Sequence, residues 1–281
     1  MITGMPRIAI ASADLSKMVA TFRDKLGLPV VELRDLPMDT FGAALAMCTP
    51  EGGSNIELMA PDDPSTPLSQ SLQGFLDRRG EGHFALMLEA AVPDEEAVVL
   101  GDRGLRVLPT MEGAFGRDIH PASTHGVLVR VYPINSFSGH DPEPVSEPNP
   151  TGLTGINRVI IAVKDINDAA DTYGVKFALA VSEPITYANR GVRSVICTPP
   201  TGGVIELVAA DDTDKDFAAS IDRFIATRGE GMYALVLGTN DLPQTRKALA
   251  ARGMNTAEIP GVDGTLELDP GATFGGRLWV A

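Results

Sequence analysis

Apolar and polar residues alternate in short runs along this chain, and each run gives way to a wider spacing. From Arg7, the segment IAIAS alternates as a half-buried strand does. Leu15, Met18, Val19, Phe22 and Leu26 then recur at helical spacing, with Ser12 or Asp14 placed to cap the helix and Gly27 to end it. Strand-like runs follow around Val30 to Leu33, Gly42 to Cys48 and Asn55 to Met59, with Glu51-Gly52-Gly53 as the turn between the last two. The order strand, helix, three strands restarts at HFALML. A helix opened by Pro93 comes next, then GLRVLP, an irregular stretch around Gly113 to Arg117, and GVLVRVYP.

The whole pattern then repeats. CTPEGGSNIELMAPDD from Cys48 matches CTPPTGGVIELVAADD from Cys197, and SLQGFLDRRGEGHFALML from Ser71 matches SIDRFIATRGEGMYALVL from Ser220, both at an offset of 149 residues. RIAIASADL from Arg7 matches RVIIAVKDI from Arg158 at an offset of 151. Self-similarity over this period means a duplicated unit. We place the first domain at 1–137, a Pro-rich, acidic connector at 138–152 and the second domain at 153–281. Four βαβββ units of α+β class result, two per domain.

Composition narrows the functional classes. A formal net charge of −14 argues against a broad nucleic-acid or anionic-membrane surface, so an arginine inside a cleft stands out. No run is apolar enough to span a membrane, and the N-terminal stretch lacks the pattern of a signal peptide, which makes the cytoplasm the default compartment. Cys48 and Cys197 occupy matching CTP triplets and read as strand ends, not as halves of a disulfide. The oligomeric state stays open, with a homodimer admissible.

RIAIASADLSKMVATFRDKLGL, NIELMAP, GEGHFALML and IHPASTHGVLVRV, in this order, resemble the vicinal oxygen chelate superfamily of glyoxalase I, methylmalonyl-CoA epimerase, extradiol dioxygenases and bleomycin-resistance proteins. The resemblance implies tandem glyoxalase-like units forming two open, cup-shaped mixed sheets with helices outside. It also implies a divalent metal on each cup floor, held by one residue from each of four strands. Those positions fall on Arg7, Glu57, His83 and Arg130 in the first copy, and on Arg158, Glu206, Met232 and Val280 in the second.

Guanidinium has no lone pair to give, so neither set makes a working metal site, and no cofactor is expected. In both copies Arg and Glu can pair where a metal and its ligand would sit, which is a structural plug. In the first copy Arg7 and Arg130 face Glu57 alone. This surplus of positive charge suits an anion, with His83 beside Glu57 as proton carrier. His120 and His125 flank a turn at the cup edge and are either substrate contacts or exposed turn residues. Tyr187 and Tyr233 line the second cup or pack within it.

The expected function is acid-base isomerase, epimerase or lyase chemistry on a small anionic carbonyl acid or acyl thioester. The catalytic residues would be His83 and Glu57, and Arg7, Arg130, His120 and His125 would bind the substrate. A non-catalytic small-molecule binder is the alternative. An extradiol-type dioxygenase would need two His and a Glu where Arg158, Met232 and Val280 stand.

Overall fold

The computed structural model describes residues 1–33, 42–111, 115–137 and 149–281. The connector expected at 138–152 lies outside these except for its last four residues.

Residues 2–133 form one mixed sheet of seven strands: β1 (Ile2–Ala11), β2 (Val30–Glu32), β3 (Ala43–Cys48), β4 (Asn55–Pro61), β5 (Gly82–Ala90), β6 (Arg117–Ile119) and β7 (Leu128–Pro133), in the order β2-β3-β4-β1-β5-β7-β6. Strand β1 runs parallel to β4 and antiparallel to β5, so the two βαβββ units join through their first strands.

Residues 153–280 repeat this plan in a sheet of nine strands. They are β8 (Leu153–Ala162), β9 (Ala180–Val181), β10 (Ile185–Tyr187), β11 (Val192–Thr198), β12 (Ile205–Ala210), β13 (Gly231–Thr239), β14 (Thr256–Ile259), β15 (Val262–Leu268) and β16 (Leu278–Val280). The strand expected from GLRVLP shrinks to a single bridge between Val107 and Ile119, so the second unit is the least regular of the four.

The first helix, α1 (Leu15–Ala20), begins where Asp14 accepts a hydrogen bond from the Lys17 amide, and a wide π turn over Thr21–Lys25 ends it before Gly27. Its counterpart α4 (Ile166–Ala170) is capped by Asp165 in the same way. These helices cover the outer faces of the sheets. Ile8, Met18, Phe22 and Leu58 of the first half and Val159, Ile161, Phe177 and Leu235 of the second belong to one continuous core.

Two helices were not anticipated. Helix α2 (Pro67–Arg79) lays Leu68 and Leu72 against Ala9, Met59, Ala85 and Met87 on the inner face of the first sheet. Following α3 (Pro93–Asp102), helix α5 (Asp216–Arg228) does the same in the second half with Phe217 and Ile221, and α6 (Leu242–Ala251) completes the set. The segments that form α2 and α5 read only as repeats, although Leu68, Leu72, Phe75 and Leu76, like Phe217, Ile221, Phe224 and Ile225, fall at helical spacing.

The halves meet closely. At Gly126, whose φ is +77, an added Cβ would sit 1.9 Å from the Glu230 carbonyl oxygen, and at its repeat equivalent Gly275 one would sit 2.6 Å from that of Glu81. Only glycine permits this approach. Tyr173, fully buried, donates its hydroxyl across the junction to the Thr124 carbonyl at 3.2 Å.

Candidate functional site

On the first sheet Arg7 and Glu57 are buried together, with Arg7 Nε donating to Glu57 Oε2 at 3.0 Å. The same guanidinium donates to Ser136 Oγ at 3.0 Å and lies over the Tyr132 ring, 4.3 Å from its centroid. Arg130 does not share Glu57. It is held in fork geometry by Asp118, directly across the β6–β7 hairpin, at 2.7 and 3.0 Å. Burial works against the Arg130 charge, but Tyr132, Asp118 and Glu57 outweigh it and raise the guanidinium above its ordinary value. The expectation of two arginines facing one carboxylate is thereby corrected: Asp118 supplies the second. Its signal lay in the strand pairing of RDI with LVRV, which the sequence does not reveal until the hairpin register is known.

The second sheet keeps the Arg–Glu pair in a looser form. Arg158 donates to Glu206 at 2.8 Å, Ser194 donates to the other carboxylate oxygen at 2.8 Å, and the Arg158 side chain is 45% exposed. A cavity of about 170 Å³ opens beside them, with Tyr187, Arg190 and Trp279 in its wall. Pairing places Arg130 opposite Met87 and Trp279 opposite Val236, so the repeat equivalent of Arg130 is Trp279 and not Val280.

His83 is not beside Glu57. A bulge in β5 skips Phe84, pairing Ala9 with Ala85 but Ile10 with His83. Phe84 therefore faces the inner cluster, and His83 turns toward the second half. There its Nδ1 lies 3.5 Å from the carbonyl oxygen of Met232, its own repeat equivalent, and its Nε2 is buried without a partner next to Gly276. Burial pushes the imidazole down to about 4, the Met232 and Arg277 backbone groups oppose this, and the Arg228 and Arg277 charges add to it. The ring is neutral near pH 7. The same bulge recurs in β13, where Tyr233 is skipped and Met232 faces the junction.

His83 forms part of the wall of a cavity of about 660 Å³ between the halves. Five arginines line it: Arg78 and Arg79 at the end of α2, Arg223 and Arg228 on α5, and Arg277 just before β16. No Asp or Glu is among its lining residues, which include Phe75, Phe84, Phe224 and Tyr233. Arg228 donates to the Arg79 carbonyl, and Arg277 donates to Tyr233 Oη and Glu267 at 2.9 Å each. Burial and then the neighbouring guanidinium, Arg78 for Arg79 and Arg79 for Arg228, lower both groups from their ordinary values. Sequence reasoning passed over these arginines, although one stands immediately before GEG in each copy.

His120 caps a short turn by accepting from the Ala122 amide at 3.0 Å and also reaches this cavity. His125, at φ +53, faces Glu230 at 3.3 Å and Asp168 at 3.6 Å and bridges the halves. Thus the six predicted site residues do not converge: Arg7 and Glu57 pair, Arg130 goes to Asp118, and the three histidines lie along the junction.

At the positions the fold family uses for a metal, each carboxylate is bonded to a guanidinium, and cationic nitrogens offer no lone pairs. Among the described residues no group of three or more His, Cys, Asp or Glu is arranged to hold a metal ion. The donor set does not fit a metal. No described helix is long and apolar enough to cross a membrane.

The chain's 4-hydroxymandelate synthase likeness, to a mutant of the enzyme from Streptomyces coelicolor, has a TM-score of 0.68 at 15% identity and covers 99% of this chain and 92% of that one. A xylose isomerase-like TIM barrel/4-hydroxyphenylpyruvate dioxygenase fusion protein superposes with a TM-score of 0.68 at 11% identity, over 100% of this chain and 49% of the fusion. At these identities the likeness establishes fold. No curated protein matches the sequence. Residues 157–267 match the family described as the Glyoxalase/Bleomycin resistance protein/Dioxygenase superfamily. The matched residues lie in the second domain, and the first domain is built on the same repeat, so the two halves share one fold as a tandem duplication.

Proposed function

We propose that the chain is a metal-independent member of the superfamily that takes a small organic anion, a carbonyl acid or acyl thioester, at the junction of its halves. The carrying observation is that five arginines and no carboxylate line one cavity in a chain of net charge −14. Such a cavity focuses positive potential in an otherwise acidic field, and its volume lies within the range of ordinary ligand pockets. Arg7 and Arg130 are already matched by Glu57 and Asp118, so the first cup has no spare cation to offer.

The test is equilibrium binding of benzoate and of inorganic phosphate to chelator-treated protein, alongside metal analysis of the purified chain. Saturable binding that survives chelation and weakens with salt supports the reading. Near-stoichiometric iron, zinc or manganese whose removal abolishes binding overturns it.

A second reading, acid-base isomerase, epimerase or lyase chemistry, is favoured by one observation: a neutral His83 forms part of the wall of the arginine-lined cavity. A neutral imidazole accepts a proton, and adjacent guanidiniums stabilise the enolate that forms. Loss of turnover in His83→Ala with ligand binding retained supports catalysis, whereas absence of turnover in the unaltered protein leaves the binder.

A further inference from the structure

The cavity is built by repeat-equivalent residues, Ser71 with Ser220, Phe75 with Phe224, Arg79 with Arg228, Phe84 with Tyr233 and Gly126 with Gly275, so it straddles an approximate two-fold axis. Its charges do not obey that axis. Arg78 is matched by Thr227, Arg223 by Gly74 and Arg277 by Leu128. The extra cations therefore sort to two ends.

At one end Arg78 and Arg79 close α2, the Arg78 guanidinium folded back over Gly74 and Arg79 meeting Arg228 of α5 through its carbonyl. At the other, Arg277 leans over the Tyr233 ring at 4.7 Å, Ser220 bonds the Tyr233 hydroxyl at 2.8 Å, and Arg223 acts on the same hydroxyl. Arg223 precedes Arg228 by five residues on one helix, a rise of about 7.5 Å. His83 lies against the Met232 carbonyl and Gly276 in the same wall. Phe75, Phe84, Phe224, Leu108 and Leu128 supply the wall.

The bland account of these arginines is helix capping and solvated charge. Arg228 does serve the Arg79 carbonyl, a favourable place for a cation at a helix C-terminus. Capping leaves Arg78, Arg79 and Arg223 unexplained, for among the described residues none has a carboxylate within salt-bridge distance, and Glu267 answers Arg277 alone. Like charges gathered on a concave surface repel one another, which a ligand of opposite charge relieves.

We infer that the junction cavity is a site for an organic dianion: two carboxylate or phosphate groups at opposite ends of a flat apolar body, one held from α2 by Arg78 and Arg79 and the other from the second half by Arg223 and Arg277. This rests on the junction being the anion site proposed above, and it goes further in fixing the number of anionic groups and the body between them.

Calorimetric titration of the full chain with benzene-1,4-dicarboxylate, benzoate and inorganic phosphate tests it. The dicarboxylate should bind at least roughly tenfold tighter than benzoate, the scale of an added charge-assisted contact. Arg223→Leu and Arg78→Leu should each cost the dicarboxylate most of that advantage and benzoate less, because the remaining end still takes a single carboxylate; circular dichroism confirms that each variant is folded. Equal affinity for the two organic anions, or equal losses for both in Arg223→Leu, overturns the dianion while sparing the anion site. No saturable binding of any of the three at low salt overturns the site itself.

Discussion

The same pair of residues, an arginine on the first strand and a glutamate on the strand parallel to it, stands in both halves under different physical terms. Arg7 and Glu57 are sealed from water, stacked on Tyr132 and tied to Ser136; Arg158 and Glu206 sit at the lip of a small cavity with the arginine half exposed. A buried ion pair contributes little net stability while intact, yet breaking it strands a charge in low dielectric. In the second half Glu206 is also buried, but Arg158 reaches water, so losing its partner strands no charge in low dielectric. The comparison shows that a repeated motif carries geometry between copies, while its energetic meaning is set by what covers it.

The largest effect should come from breaking the sealed pair. Glu57→Gln leaves the Arg7 guanidinium without its counter-charge and should cost about 3–5 kcal/mol in urea unfolding. Asp118→Asn should follow at about 3 kcal/mol, because Arg130 then loses both arms of its fork. A smaller loss at either position would mean that water reaches the first cup.

Next comes acid sensitivity. The His83 imidazole is held below its ordinary value of 6.5, so the unfolded chain binds its proton first as pH falls. Its contribution is whole above about pH 6.5 and is lost on descending toward pH 4, by up to about 3 kcal/mol. His83→Met copies the residue at the equivalent place and should flatten this slope in melts recorded from pH 7 to pH 4, relative to the unaltered chain. An unchanged slope would place the sensitivity elsewhere. The smallest effect belongs to Glu206→Gln, at about 1 kcal/mol or less and reduced further by salt. If it matches Glu57→Gln, the contrast between the cups fails.

Much of the architecture was readable from periodicity and repetition. Leu15 to Leu26 wrote out a helix, Asp14 capped it, and the match between the copies set the duplication. The site was harder to read for reasons that can be named. Strand alternation places residues on faces only while the register holds, and the bulge at Phe84 moved His83 to the opposite side. Asp118 and Arg130 are twelve residues apart, and only the hairpin makes them neighbours. The junction arginines come from three separate segments, so no local pattern could gather them.

His83 touches the backbone of Met232, its own counterpart. In a dimer of identical chains a residue beside the two-fold must face a copy of itself, so every charge placed there arrives twice. Joining the halves in one polypeptide lifts that rule: a histidine can rest against a methionine, and Arg78, Arg223 and Arg277 can each be introduced singly. An unsymmetrical molecule can thus be bound in one orientation at the centre of a nearly symmetrical fold.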